Sequence, residues 1–277
     1  MRVPDASSGR LARRVLYATE PARSAADAAT LVVALPLLLA APRGDGHPVL
    51  VLPGLLANDR STAPLRRFVE RLGYPVTGWS LGRNQGPTQR VVDGLPRLLD
   101  RLAGRSGEQV SLIGWSLGGI FARRLALRSP DLVRQVITLG SPFGAEEDRL
   151  GRTPGERMYR RLSSRHVADR IHPATTPADE LPAMPTTAIY SRWDGIVDWR
   201  ECRQPAGPRS ESIGVPASHL GLGHHPAVLW VVADRLAQPP GDWQPYRVPS
   251  RRGPGSLFRA SFEINHEIDE GDRSWTG

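Results

Sequence analysis

The 277-residue chain predicts an α/β fold, with a central, mostly parallel sheet and helices on both of its faces. Three observations point to it. Short apolar runs recur along the chain, and segments with apolar residues at helical spacing separate them. Apolar residues make up 40% and charged residues 23%, a globular composition rather than a disordered or fibrous one. A single cysteine excludes an internal disulfide framework and any Cys-rich zinc module, and the seven histidines show no metal-ligand spacing.

The elements follow in order. An amphipathic helix is expected over about residues 21–40, packing on the core. Pro48 to Gly54 reads as a buried strand ended by Pro-Gly. Thr62 to Leu72 places Leu65, Phe68, Val69 and Leu72 at helical spacing, and Gly73 is suited to end that helix. Tyr74 to Trp79 is a second strand. Pro87 to Arg105 is a helix expected to bend near Pro96. Gln109 to Trp115 is a third strand and Leu117 to Arg128 a helix stopped by Ser129-Pro130. Val133 to Leu139, Thr186 to Ser191 and Glu211 to Val215 supply three more strands. Pro226 to Leu236 is a closing helix with proline in its first turn.

This pattern divides the chain into an N-terminal helical extension (1–44), a main domain (45–237) and a C-terminal tail (238–277). Within the main domain, about 144–185 lacks strand signal and reads as a cap above the sheet. Its helical stretch, Glu156 to Arg170, sets Met158, Tyr159, Leu162 and Val167 among arginines. The tail, rich in Pro, Gly and charge, is expected to be extended or partly disordered, with Ser256 to Ile264 its strand-like part.

All 36 basic residues are arginine, and the net charge is +8. They are scattered among acids, as in Arg66, Arg67, Glu70 and Arg71, rather than gathered in a stripe with aromatics, which argues against nucleic-acid binding. The strictly apolar run from Leu31 to Pro42 is interrupted by Pro36 and is shorter than the roughly 20 residues a spanning helix needs. A cytoplasmic location is therefore expected, and membrane contact is not.

Gly114-Trp115-Ser116-Leu117-Gly118 matches G-x-S-x-G between an apolar strand and an apolar helix, the setting this pattern requires. A serine in so sharp a turn needs glycines around it, because a Cβ would collide there. Its hydroxyl would project at the carboxyl edge of the sheet and at a helix N-terminus, where backbone N–H groups can meet a developing oxyanion. With the upstream VLVLPGLL and the downstream LGSPFG, this segment resembles the α/β-hydrolase superfamily on its lipase/esterase side, over roughly residues 45–237. The resemblance implies a triad in chain order serine, acid, histidine.

Asp194 lies in the loop after the predicted strand TTAIYS, and its D-G-I-V is similar to the acid loop of lipase-type hydrolases; Asp198 is the alternative. The base should follow the last predicted strand. His219 in ASHLGLG does so, and an imidazole with an ordinary pKa near 6.5 can take and return a proton at neutral pH. His224 and His225, beside Pro226, are the alternatives, and read better as first-turn residues of the closing helix. One oxyanion donor should be the N–H of Leu117, next to the nucleophile. The position matching the family's second donor is Leu55 N–H. The His-Gly common in lipases is Pro53-Gly54 here, and Pro53 has no N–H to give.

The function expected from these residues is hydrolysis of carboxylic esters through an acyl-enzyme on Ser116, with a small-molecule or lipid ester as substrate and no cofactor or metal. Acyl transfer through the same triad is the alternative. A binding protein on this scaffold is a third possibility, disfavoured because all three triad residues are present.

Overall fold

The computed structural model describes residues 9–143, 153–167, 181–249, 255 and 262–265. Its helices are α1 (Gly9–Leu38), α2 (Ala63–Arg71), α3 (Gln89–Ser106), α4 (Leu117–Arg128), α5 (Pro154–Arg161) and α6 (Pro226–Leu236). Its strands are β1 (Val49–Leu52), β2 (Val76–Gly78), β3 (Val110–Trp115), β4 (Val133–Leu139), β5 (Thr186–Tyr190), β6 (Ser210–Gly214) and β7 (Glu263–Asn265).

They form one sheet in the order β2-β1-β3-β4-β5-β6-β7. Strands β1 to β6 run parallel, and β7 joins the β6 edge antiparallel. Every residue of β1, β3, β5 and β6 is buried, which explains why β1 and β3 read as near-continuous apolar runs instead of alternating patterns.

The pleat sorts each run between two cores. Val49 and Val51 of β1 face a cluster with Leu38, Leu65, Val69 and Val231 of α1, α2 and α6. Leu50 and Leu52 face the opposite cluster, with Leu95, Leu99 and Phe121 of α3 and α4. Period-2 alternation is thus present, hidden because both faces are apolar.

Helix α3 runs through Pro96 and ends at Gly107, whose φ of 70° is the left-handed conformation glycine adopts freely.

Helix α1 departs most from expectation. It begins near residue 9 rather than 21 and runs through Pro21. Proline cannot donate to the carbonyl four residues back. Around that gap, Thr19 Oγ1 donates to the Val15 carbonyl at 2.8 Å, and Arg23 Nη2 donates to the Leu16 carbonyl at 2.7 Å. Over Ala12–Leu38 the helix is long and apolar enough to cross a membrane by length and composition, with mean hydropathy 1.2. The strictly apolar run, Leu31 to Pro42, covers only the end of this helix; Glu20 and Asp27 lie upstream of it, and in the fold both acids are buried against the domain.

Two further segments differ in extent. The helix expected over Glu156–Arg170 ends at Arg161, and a short 3₁₀ turn over Ser163–Arg165 follows it. A capping box between Thr153 and Glu156 starts α5. Of the expected cap, 144–152 and 168–180 lie outside the described residues, as do 256–261 of the strand-like stretch in the tail. The tail's described parts are docked. Tyr246 is buried, and its N–H donates to Glu211 at 2.7 Å.

Candidate active site

Ser116 occupies the turn between β3 and α4 with φ 53° and ψ −122°, a conformation side chains rarely adopt. Glycines make the turn possible. A Cβ on Gly114 would lie 2.3 Å from the Gly119 Cα, and one on Gly118 would lie 2.4 Å from the Leu52 carbonyl oxygen. Both contacts are with backbone, so no side-chain movement could relieve them. The turn therefore seats α4 directly on β1 and β3, with the half-buried Ser116 at the carboxyl ends of the strands.

Two loops from neighbouring strands arrive beside it. The loop after β5 carries Asp194, and the segment after β6 carries His219; both residues are buried. His219 Nδ1 lies 2.5 Å from Asp194 Oδ2. The carboxylate's other oxygen accepts the N–H groups of Ile196 and Val197, each at 2.8 Å. Asp194 is thus held by its own loop, which explains the D-G-I-V spacing. With Nδ1 given to the carboxylate, Nε2 is the nitrogen available as a proton acceptor.

Backbone links bring this pair next to the serine. Ser116 N–H donates to the Leu139 carbonyl at 2.8 Å. A Cβ on the following residue, Gly140, would be 3.2 Å from His219 Nδ1 and 3.4 Å from Asp194 Oδ2. Trp115 Nε1 donates to the His219 carbonyl at 3.1 Å. Ser116 Oγ itself makes no hydrogen bond to His219 in this structure.

Burial opposes a charged imidazole at His219, but the charge and hydrogen bond of Asp194, helped by the charge of Glu20, outweigh it. Its pKa is raised above the ordinary histidine value.

The alternatives separate cleanly. Asp198 pairs with Arg13 at 2.5 Å and caps a short 3₁₀ turn through Arg200 N–H. His225 is the N-cap of α6, its Nδ1 accepting from Ala227 N–H at 3.2 Å. His224 Nε2 donates to the Ser24 carbonyl at 3.1 Å. Each has a structural task away from Ser116.

Opposite the pair, the loop after β1 lies against the serine. A Cβ on Gly54 would stand 3.2 Å from Ser116 Cβ and 3.9 Å from its Oγ. The N–H groups of Leu55 and Leu117 donate to no acceptor among the described residues. The loop is held by Asn84, fully buried, whose Nδ2 donates to the Pro53 carbonyl at 2.8 Å. Asn84's backbone carbonyl also accepts the Leu56 N–H at 2.6 Å.

Sequence reasoning missed Asn84, Glu20 and Asp27. The two acids left a trace, as the two carboxylates of a helix whose other charged residues are arginines.

This architecture has known counterparts. The structure of Aspergillus fumigatus lipase B superimposes with a TM-score of 0.51 at 18% identity, covering 72% of this chain and 54% of that one. The chain has the α/β-hydrolase fold. Among curated relatives, it is 29% identical over 117 residues to the serine hydrolase BPHL of Mus musculus, which is 38% of this chain and 40% of that protein. It is 40% identical over 62 residues to the pimeloyl-[acyl-carrier protein] methyl ester esterase of Aeromonas hydrophila, 22% of this chain and 24% of that one. The matched stretches thus span less than half of either curated relative. No protein-family model matches the chain.

Proposed function

We propose that this α/β-hydrolase cleaves carboxylic esters with Ser116, His219 and Asp194 as its triad. The observation that carries the reading is the buried Asp194–His219 pair, 2.5 Å apart, set beside a serine in a strained strand-to-helix turn. Hydrolase, esterase and lipase relatives support the general class.

In this mechanism, Ser116 Oγ attacks the acyl carbon while His219 Nε2 takes its proton. Asp194 keeps the proton on Nδ1 and stabilises the imidazolium. The oxyanion is received by the free N–H groups of Leu55 and Leu117; removing one such donor typically costs about 3 kcal/mol of transition-state stabilisation. His219 then protonates the departing alcohol, and water, activated by the same imidazole, releases the acid from Ser116.

A panel of p-nitrophenyl esters from short to long acyl chains, together with a fluorophosphonate probe, tests the proposal. Wild-type protein should cleave at least one ester and carry the probe on Ser116. Ser116→Ala should lose both. Full cleavage by that variant would remove Ser116 from the chemistry, and the acyl-length optimum would separate a short-chain esterase from a lipid-directed enzyme.

A further inference from the structure

Both loops that carry the Asp194–His219 pair are gripped by one side chain of α1. Glu20 is 2% exposed, and its carboxylate accepts three backbone N–H groups from them. Gly195, directly after Asp194, donates at 2.8 Å; His219 itself and Leu220 each donate at 3.2 Å. These contacts join residues 175 and 199 positions apart in the chain. Three donors converging on one buried carboxylate is an arrangement in which the charge is fully compensated by hydrogen bonds.

Arg23, one turn along the helix, completes the grip. Its Nη2 donates to Glu20 at 2.8 Å and its Nη1 to the Trp193 carbonyl at 2.6 Å. Asp194 is therefore flanked on one side by a peptide group bound to Arg23 and on the other by one bound to Glu20. Two turns beyond Glu20, about 10 Å along the axis, Asp27 accepts Ser218 N–H at 3.0 Å and Ser218 Oγ at 2.7 Å. The base segment is thus held on both sides of His219.

The loops are shaped for this contact. A Cβ on Gly195 would lie 2.5 Å from the Leu16 carbonyl carbon and 2.6 Å from Tyr17 N, and one on Gly221 would lie 1.9 Å from Asp27 Oδ2. Glycine at each position lets helix and loop backbones meet.

We propose that Glu20 is a positioning residue for the reaction, tying the acid loop to the base segment and thereby setting where the His219 imidazole stands relative to Ser116. The inference rests on the ester-hydrolase reading and gives the N-terminal helix a part in it. Glu20 acts through the two loops and touches no reacting atom. The charged groups around His219 are Asp194 from the acid loop, Glu20 with its partner Arg23 from α1, and Asp27 behind Ser218. A neutral residue at position 20 withdraws one of the anions that favour imidazolium, so the acid limb of the activity profile should move to lower pH.

The test compares full-length wild type, Glu20→Gln and Ala34→Gly. Ala34→Gly loosens the same helix within the core, away from the loops. kcat and KM for a p-nitrophenyl ester across pH, the thermal midpoint and the NMR resonance of the His219 Nδ1 proton are measured for each. Glu20→Gln should lower kcat tenfold or more with KM within about twofold, and shift the acid limb down. Ala34→Gly should keep the kcat and limb of wild type even where its thermal midpoint falls as far. Wild-type kcat and limb in Glu20→Gln, or an equal kcat loss in Ala34→Gly, would overturn the proposal. If Glu20→Gln does not fold, Arg23→Met frees the Trp193 carbonyl while leaving the carboxylate in place; it should lower kcat, and unchanged kcat there overturns the proposal as well. If wild type cleaves no ester, the function reading fails by itself. The Nδ1 proton then decides positioning: a changed resonance in Glu20→Gln, or in Arg23→Met, supports it, and an unchanged one rejects it.

Discussion

At the scale of single residues, the site combines strain with compensation. Ser116 is held in an unfavourable conformation by contacts of Gly114 and Gly118 with backbone on three sides, and only the folded sheet supplies them. His219 is buried, yet titrates above its ordinary value because neighbouring carboxylates outweigh the burial. A base must be neutral to work. The rate should therefore fall as pH drops through that raised value, with the acid limb of kcat/KM centred above the ordinary histidine value of about 6.5. Asp194→Asn removes the charge and offers Nδ1 an amide. It should lower kcat on the order of 10³- to 10⁴-fold, and move the acid limb down, in a pH-rate series on a p-nitrophenyl ester. The serine was legible in the sequence because its neighbours are glycines at fixed spacing. The sequence already favours Asp194 over Asp198 by its D-G-I-V, and His219 over His224 and His225 by their place beside Pro226. The hydrogen bonds follow the same order: Asp198 and His225 cap turns, and Asp194 and His219 bind each other.

At the scale of elements, the strands and the helices α2, α4 and α6 fall close to where hydrophobic spacing puts them. Helix α1 does not, and the reason is physical. Pro21 and two acids look like the edge of a helix, whereas in the fold the acids bind loop N–H groups and side chains of Thr19 and Arg23 bond carbonyls on the turn before Pro21. Local propensity cannot register partners nearly 200 positions away. Pro21 still leaves the Tyr17 carbonyl without its helical donor. Pro21→Ala should restore that bond and stabilise the protein by about 1–2 kcal/mol, seen as a rise of roughly 2–6 °C in a thermal melt. A fall instead would show that the proline fits α1 to the loops.

At the scale of the whole molecule, helix α1 and the described parts of the C-terminal tail are built into the domain. Helix α1 adds Ala34 and Leu38 to one core and its carboxylates to the loops of Asp194 and His219. The tail reaches back to a buried ion pair between Glu211 of β6 and Arg235 of α6, 2.9 Å apart and each 2% exposed. Arg235 also donates to the Gln244 carbonyl at 2.7 Å, and Glu211 accepts from Tyr246 N–H. Glu211→Leu would take one of two carboxylates from Arg235, which Asp234 also pairs, and would leave the Tyr246 N–H without its acceptor; it should cost about 1–3 kcal/mol in denaturant unfolding, and Glu211→Leu with Arg235→Met should recover part of the loss. A single variant as stable as wild type would mean that solvent reaches Arg235.

The amino-acid order by itself determined the alternation of strands and helices, the two-faced apolar sheet and the serine at its carboxyl edge. These are written in short-range spacing, because burial and turn geometry act on residues a few positions apart. The tertiary structure alone decided which carboxylate meets which imidazole, how the loop that carries Gly54 comes to lie against the serine, and that helix α1 holds both loops. Those choices depend on distances between segments remote in the chain, and such distances exist only once the sheet has set its strands side by side.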